Sequence, residues 1–255
     1  HFFEDIVSGK FELSARVRRV AQKLADLSAV QTPTFLGVTA LRNTKHDDAG
    51  RAVNAALLAL GMGRQLTHDK RALARIATAA LLHDIGRARV AGAGPTGEGR
   101  LGAALPRLAD FQLPELSDAT AAVVGALGAR SDSATMVGVL IYEAAHLSAR
   151  PHVPSLYGGL HMASLEAHIV STAARFSRGL GETTNDNPVD QVISQLRAAQ
   201  TSAGDQTATH LLLGALGIFP VGAIVQLSDQ RVAQVLRTPI DPQYFSLPDV
   251  RITLD

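Results

Sequence analysis

The sequence predicts a mainly α-helical chain that ends in a small β element. Apolar residues recur at helical spacing from about residue 11 to residue 216. After that, short runs of β-branched and aliphatic residues flank turn-forming ones. Hydrophobic residues make up 46% of the 255 residues and charged residues 18%, a globular composition with material for one large core plus a small appendage.

Taken in order, Phe11 to Val30 places Leu13, Val17, Val20, Leu24 and Leu27 on one stripe and Arg18, Arg19, Lys23 and Asp26 elsewhere, which predicts an amphipathic helix. Gln31-Thr-Pro33 ends it, and Pro33 can open a short second helix through Arg42. A third is expected from Lys45 to Met62, with His46, Ala49, Gly50, Val53, Leu57 and Leu60 on one face. Thr67 or Asp69 can cap a fourth, whose stripe is Leu73, Ile76, Ala77, Ala80 and Leu81. Seven residues beyond Ile76 and Ala77 lie His83 and Asp84, in the same buried phase, and Gly86 breaks the helix just past them.

Residues 91–100 are glycine-rich and lack the P-loop lysine, so a surface loop is expected there. Ser117 to Gly128 and Ser131 to Leu147 read as two further helices opened by serine caps. Two prolines and two glycines between Pro151 and Gly159 break the pattern. Helix resumes from Met162 to Leu180, with Leu165, His168, Ile169, Thr172, Ala173 and Phe176 in phase. Asn187-Pro188 is a cap followed by a first-turn proline, opening a helix to Gln200. A last short helix is expected near Thr207 to Leu216. Ala223 to Leu227 and Arg231 to Leu236 then form a hairpin about Ser228-Asp229-Gln230, and Val250 to Leu254 can add a strand. These boundaries divide the chain into N-terminal helices (1–44), a helical domain (45–216) and a β appendage (217–255).

A formal net charge of +1 provides no global field for a nucleic acid polymer or an acidic membrane. With no cysteine, disulfides, iron–sulfur clusters and thiol catalysis are excluded. The start, His1-Phe-Phe-Glu-Asp5, lacks the regions of a signal peptide. The longest apolar run, Leu211 to Val225, contains Pro220 and three glycines and is shorter than the ~20 residues of a typical membrane span. A cytoplasmic protein with no membrane span is therefore the expectation.

The chemistry-bearing stretch is Ala79 to Arg87, Ala-Ala-Leu-Leu-His-Asp-Ile-Gly-Arg. A histidine followed by an aspartate at the end of an apolar helix aims a nitrogen and an oxygen donor at one place. With His46 on the facing side of the preceding helix, the three are suitable donors for a divalent metal such as Fe or Mn. Such a metal binds phosphate oxygens and lowers the pKa of a bound water. A two-metal site, with ions about 3.5–4 Å apart, needs several more ligands, including bridging carboxylates. Without those, the same residues read as a buried polar cluster.

His46, the helix after it and Leu81-Leu-His-Asp-Ile-Gly86 resemble the opening of the HD superfamily of metal-dependent phosphohydrolases. The resemblance is nearest to the HD-GYP branch, bacterial phosphodiesterases that cleave cyclic di-GMP. Leu216-Gly-Ile-Phe-Pro-Val-Gly-Ala-Ile-Val-Gln-Leu227 resembles the segment ending that fold, so the likeness runs from about Thr34 to Leu236. It implies an HD-type helical bundle with a small C-terminal β hairpin, metal ligands at His46, His83 and Asp84, and a catalytic role for Asp84. Arg87 stands where the family has a lysine, keeping a positive charge for phosphate with a different geometry.

The family's remaining ligands are depleted. Arg100 to Gly128 contains no histidine, and Tyr142-Glu143 falls where a second histidine and a glutamate are expected. Pro154-Ser-Leu-Tyr-Gly-Gly159 replaces the Gly-Tyr-Pro loop, and Ala174 takes the place of the final aspartate. Glu143, His146 and His168 are the nearest substitute donors, with His161 and Glu166 behind them.

The leading expectation is a degenerate HD-GYP-like bacterial signalling domain, a pseudoenzyme acting as a regulatory module towards a protein partner or a second copy through the N-terminal helix. The alternative is an active phosphohydrolase with a rearranged site, acting on a cyclic dinucleotide or another phosphoester. A third reading, a sensor that binds a cyclic dinucleotide without chemistry, has less behind it, since aromatic residues are 4% of the chain.

Overall fold

In the computed structural model, residues 15–30, 48–84, 132–149, 155–182, 188–216, 224–237 and 247–254 are described. Among them are seven α-helices and three strands: α1 (Ala15–Val30), α2 (Asp48–Gly63), α3 (Lys70–Leu82), α4 (Asp132–Ala149), α5 (Leu165–Glu182), α6 (Pro188–Ala198), α7 (Ala203–Leu216), β1 (Ile224–Gln226), β2 (Val232–Arg237) and β3 (Asp249–Leu254). The mainly α architecture with a small C-terminal sheet is as the sequence predicts. The helix expected at 33–42, the loop at 91–100 and the helix at 117–128 lie outside the described residues.

α5 is the axis of the bundle, packing on α2, α3, α4, α6 and α7. Its Ala167, Ile169, Val170, Ala173 and Phe176 are all buried in one continuous core with Leu58 and Met62 of α2, Leu82 of α3, Leu140 and Ile141 of α4 and Leu212 of α7. From Ala55 to Gly63 every residue of α2 is buried. That segment has almost no polar face, which suits a helix enclosed by neighbours.

Three stripes differ from the expected ones. Leu165, at the first position of α5, is 36% exposed. Val20 of α1 is 44% exposed and Val53 of α2 is 40% exposed, while Ala21, Ala25 and Ala52 are buried. Small side chains let α1 approach α3 closely, with Ala21 and Ala25 packing beside Leu57, Leu60, Leu73 and Ala77. The larger valines remain outside the contact.

The helix starts follow local chemistry. Asp69 has extended backbone and accepts the Arg71 amide at 2.9 Å, an N-cap for α3. Ser164 accepts the Ala167 amide at 3.3 Å and so opens α5, later than the expected Met162. Pro188 is the first residue of α6. α7 begins at Ala203, about one turn before the expected Thr207, because Ser202 and Asp205 form a capping box. Ser202 Oγ accepts the Asp205 amide at 3.2 Å, and Asp205 Oδ2 accepts the Ser202 amide at 3.0 Å. α5 and α6 meet at Gly179, where a Cβ would fall 2.8 Å from both γ-carbons of Val192.

The sheet is antiparallel, ordered β1-β2-β3, with Val225 opposite Ala233 and Val235 opposite Val250. The β1–β2 hairpin turns through Gln230, at φ 71°, with the Leu227 amide bonded to the Arg231 carbonyl at 2.9 Å. Ala233 and Val235 are buried on one face of β2, as period-two alternation requires.

Candidate functional site

The α3 helix ends on His83, and the site grows from that end. His83 Nδ1 lies 2.7 Å from the carbonyl of Ala80. A carbonyl only accepts, so Nδ1–H donates and the ring is held with Nε2 pointing away from its own helix. Nε2 lies 3.0 Å from Asp84 Oδ2, with the two side chains 8% and 5% exposed. The other carboxylate oxygen, Oδ1, accepts from Nη2 of Arg178 on α5 at 3.2 Å. A histidine, an aspartate and an arginine from two packed helices thus form one half-sealed polar group.

Part of this arrangement suits a metal. A histidine that ligates through Nε2 usually donates its other ring N–H to a carbonyl or carboxylate, as His83 does. Two neighbouring donors about 2.1 Å from an octahedral cation stand about 3.0 Å apart, close to the Nε2–Oδ2 distance. However, a contact between that nitrogen and a carboxylate is also satisfied by one shared proton, which a metal would have to displace. Arg178 already brings a positive charge to Asp84, and a dication beside it would be repelled.

The substitute donors are committed elsewhere. Glu143 of α4 is buried, and its carboxylate spans two segments. Oε1 accepts from the Tyr157 hydroxyl at 3.2 Å, and Oε2 accepts from the Ser164 amide at 2.9 Å and the Ser164 hydroxyl at 2.6 Å. Glu143 therefore anchors the connection between α4 and α5 and holds the residue that caps α5. Within that connection the short 3-10 turn Leu156–Gly159 has Tyr157 at φ 51°, a left-handed conformation that costs a non-glycine residue energy. Burial raises the Tyr157 phenol above its ordinary value, and the charge and hydrogen bond of Glu143 add to the effect.

His146 is 2% exposed on α4, its ring 6.5 Å from that of Tyr142. Tyr142 also meets Tyr157, with ring centroids 6.4 Å apart, and Tyr157 meets the exposed His161 edge-on at 6.3 Å. His168 of α5 places Nδ1 2.9 Å from Asp205 Oδ1. Its opposite edge lies against Gly204, where a Cβ would fall 2.6 Å from Cδ2 and 2.8 Å from Cε1. Both edges of that ring are thus taken up by α7. Glu166 bonds Arg75 Nη2 at 2.6 Å, tying α5 to α3.

Burial works to raise the Asp205 carboxyl, but the Thr201 amide, Ser202, the neighbouring His168 and the Thr201 hydroxyl outweigh it and hold the carboxyl below the usual aspartate range. The network joins His168 to the capping box of α7.

Of the residues singled out in the sequence, the structure brings His83 and Asp84 together and places Glu143, His146 and His168 in the interior. His46 and Arg87 lie outside the described residues. Ala174, 5% exposed on α5, offers no donor where the resemblance expects an aspartate. Among the described residues no group of three or more His, Cys, Asp or Glu side chains could hold a metal ion. Arg178 was not singled out from the sequence. Its signature is phase, since Ser171, Ala174, Arg175 and Arg178 recur at helical spacing and the first two are buried.

No protein-family model, curated protein or solved structure matches the chain. Among the described residues no helix is long and apolar enough to cross a membrane.

Proposed function

We propose that the chain is a degenerate HD-GYP-like bacterial signalling domain, with weak or no cyclic di-GMP phosphodiesterase activity, that acts as a regulatory or interaction module. The observation that carries this reading is the division of the Asp84 carboxylate between His83 and Arg178. An aspartate that serves a dication as ligand keeps its charge for that ion. Here a guanidinium from α5 supplies the counter-charge, and the same helix has alanine at 174. The His-Asp pair then acts as an internal tie between α3 and α5 in a domain whose output is binding. Metal analysis of purified protein, combined with a cyclic di-GMP turnover assay, tests this reading. Two tightly bound transition metals per chain, with conversion to pGpG or GMP, would sink it.

A second reading has one observation in its favour, the orientation of His83 with Nδ1 on the Ala80 carbonyl and Nε2 beside Asp84. In it His46, His83 and Asp84 hold a single divalent cation such as Fe or Mn, Arg87 faces the phosphate, and the substrate is a cyclic dinucleotide or another phosphoester. Alanine at His83 or Asp84 would then abolish activity in a folded protein. Unchanged rates in both variants would rule the second reading out.

A further inference from the structure

One carboxylate ties down two points of the connection between α4 and α5. Glu143 Oε1 accepts from the Tyr157 hydroxyl at 3.2 Å, and Oε2 accepts from the Ser164 amide at 2.9 Å and the Ser164 hydroxyl at 2.6 Å. Every residue from Tyr157 to Met162 is exposed. Among the described residues, the hydrogen bonds that join residues 157–164 to α4 all end on Glu143. The backbone bond inside the stretch is local, from the Leu160 amide to the Tyr157 carbonyl at 3.2 Å. Leu156, just before it, is buried and fixes the near end.

Two features work against this conformation. Tyr157, Gly158 and Gly159 are left-handed in succession, at φ 51°, 65° and 83°. The glycines adopt that region freely, whereas Tyr157 is strained by it. Leu160 and Met162 are 83% and 79% exposed, so two large apolar side chains stand in water. What holds the stretch in place is the carboxylate. Glu143 is itself buried, and among the described residues its donors are Tyr157 and Ser164, with no lysine, arginine or histidine paired to it. A buried charge stripped of its donors is costly, so lifting the stretch requires water to enter and hydrate the carboxylate. That water competes for the remaining bonds as well, so the two tied points release together.

We propose that residues 157–164 form a strap with a closed and an open state, held closed by the Glu143 carboxylate as a single clasp. Opening lifts the Tyr157 ring off that of Tyr142, 6.4 Å away between centroids. It thereby uncovers Tyr142 and, 6.5 Å beyond it, the ring of the buried His146. The Ser164 hydroxyl accepts the Ala167 amide at 3.3 Å, so the first turn of α5 loosens with the strap. An exposed segment with few buried apolar contacts belongs to the low-stability end of a molecule, where local opening is cheapest. The domain therefore offers the surface around Tyr142 and His146 in one state and withholds it in the other. The strap does not depend on the HD reading, which concerns a cation at His83 and Asp84.

Hydrogen exchange and histidine labelling of the full chain test the proposal. In the unaltered protein the Ser164 amide should exchange by a local opening, faster than the amide of Leu58 in the core. Tyr157→Phe cuts only the bond at the other tied point. With a single clasp it should nevertheless speed Ser164 exchange about ten- to hundredfold, the effect of losing one hydrogen bond to a charged group. Diethyl pyrocarbonate, followed by peptide mass analysis, should label His146 faster in Glu143→Gln than in the unaltered protein. His68, exposed between α2 and α3, should label at the same rate in both. If Glu143→Gln fails to fold, Tyr157→Phe carries the labelling measurement as well. Ser164 exchange as slow as that of Leu58, Ser164 exchange unchanged by Tyr157→Phe, or a His146 labelling rate that stays the same in the folded variant would each overturn the proposal.

Discussion

Asp84 accepts a hydrogen bond from Arg178, 94 residues further along the chain, at 3.2 Å. The contact joins the end of α3 to the central helix and places a carboxylate and a guanidinium where the packing excludes most water. Removing Arg178 takes away one of the groups that hold the buried Asp84 carboxylate, while His83 stays beside its other oxygen. Arg178→Met should destabilise the protein by about 1–3 kcal/mol, the range for losing a hydrogen bond to a charged group. Adding Asp84→Asn to it should recover part of the loss. Urea denaturation of the two single variants and the double variant measures this. Additive losses would show that the pair contributes no coupling.

Tyr157 and Glu143 offer a test at high pH. The Tyr157 phenol is raised by burial and by Glu143, so the folded protein keeps its proton where the unfolded chain loses it. The contribution to stability is full below the ordinary tyrosine value of 10.0 and is lost as pH rises through the raised folded value. In an ultraviolet titration Tyr157 should ionise above the ordinary value, and Glu143→Gln should move it downward. A Tyr157 titration unaffected by Glu143→Gln would show that the carboxylate does not control it.

The helical phases were legible because apolar periodicity reports directly on which face is buried. Leu73, Ile76 and Ala77 of α3 and Ile169, Ala173 and Phe176 of α5 are all buried as the spacing predicts. Asp69 and Pro188 marked helix starts because their local chemistry is self-contained. Val20 and Val53 were misplaced since hydrophobicity does not register that alanine permits a closer helix approach than valine. At the site, the burial of His83 and Asp84 was readable from helix phase. The pairing of Asp84 with Arg178 was not, because contact between distant segments depends on tertiary packing. The commitments of Glu143 to Ser164 and of His168 to Asp205 were hidden for the same reason.

Asp205 makes the α7 cap sensitive to acid. Its folded carboxyl titrates below the ordinary aspartate value of 3.8, so as pH falls the unfolded chain takes up the proton first. The stabilisation is present above that value and is lost as pH drops through the lowered folded value. Asp205→Asn should cost about 1–2 kcal/mol at neutral pH, through loss of the cap. It should also flatten the fall in melting temperature below pH 4, an interval bounded above by the ordinary value. Thermal melts from neutral to strongly acidic buffer compare the two proteins. An equally steep acid limb in the variant would assign the acid sensitivity to other groups.

Gly179 sets the spacing between α5 and α6. A Cβ there would lie 2.8 Å from both γ-carbons of Val192, which is 2% exposed and has little room to withdraw. Gly179→Ala gains helix propensity on α5, but the overlap must be relieved by moving α6 or straining the valine. Overpacking of this kind outweighs the propensity gain, and a net loss of about 1–2 kcal/mol is expected. Val192→Ala removes both offending carbons and leaves a small void, so it too destabilises on its own. In the double variant the alanine at 179 has no γ-carbon to strike and partly fills the space left at 192. Its loss should therefore be smaller than the sum of the two single losses, measured by chemical denaturation of all four proteins. Losses that simply add would show that the α5–α6 distance is fixed by other contacts, and that the glycine is there for some reason other than close approach.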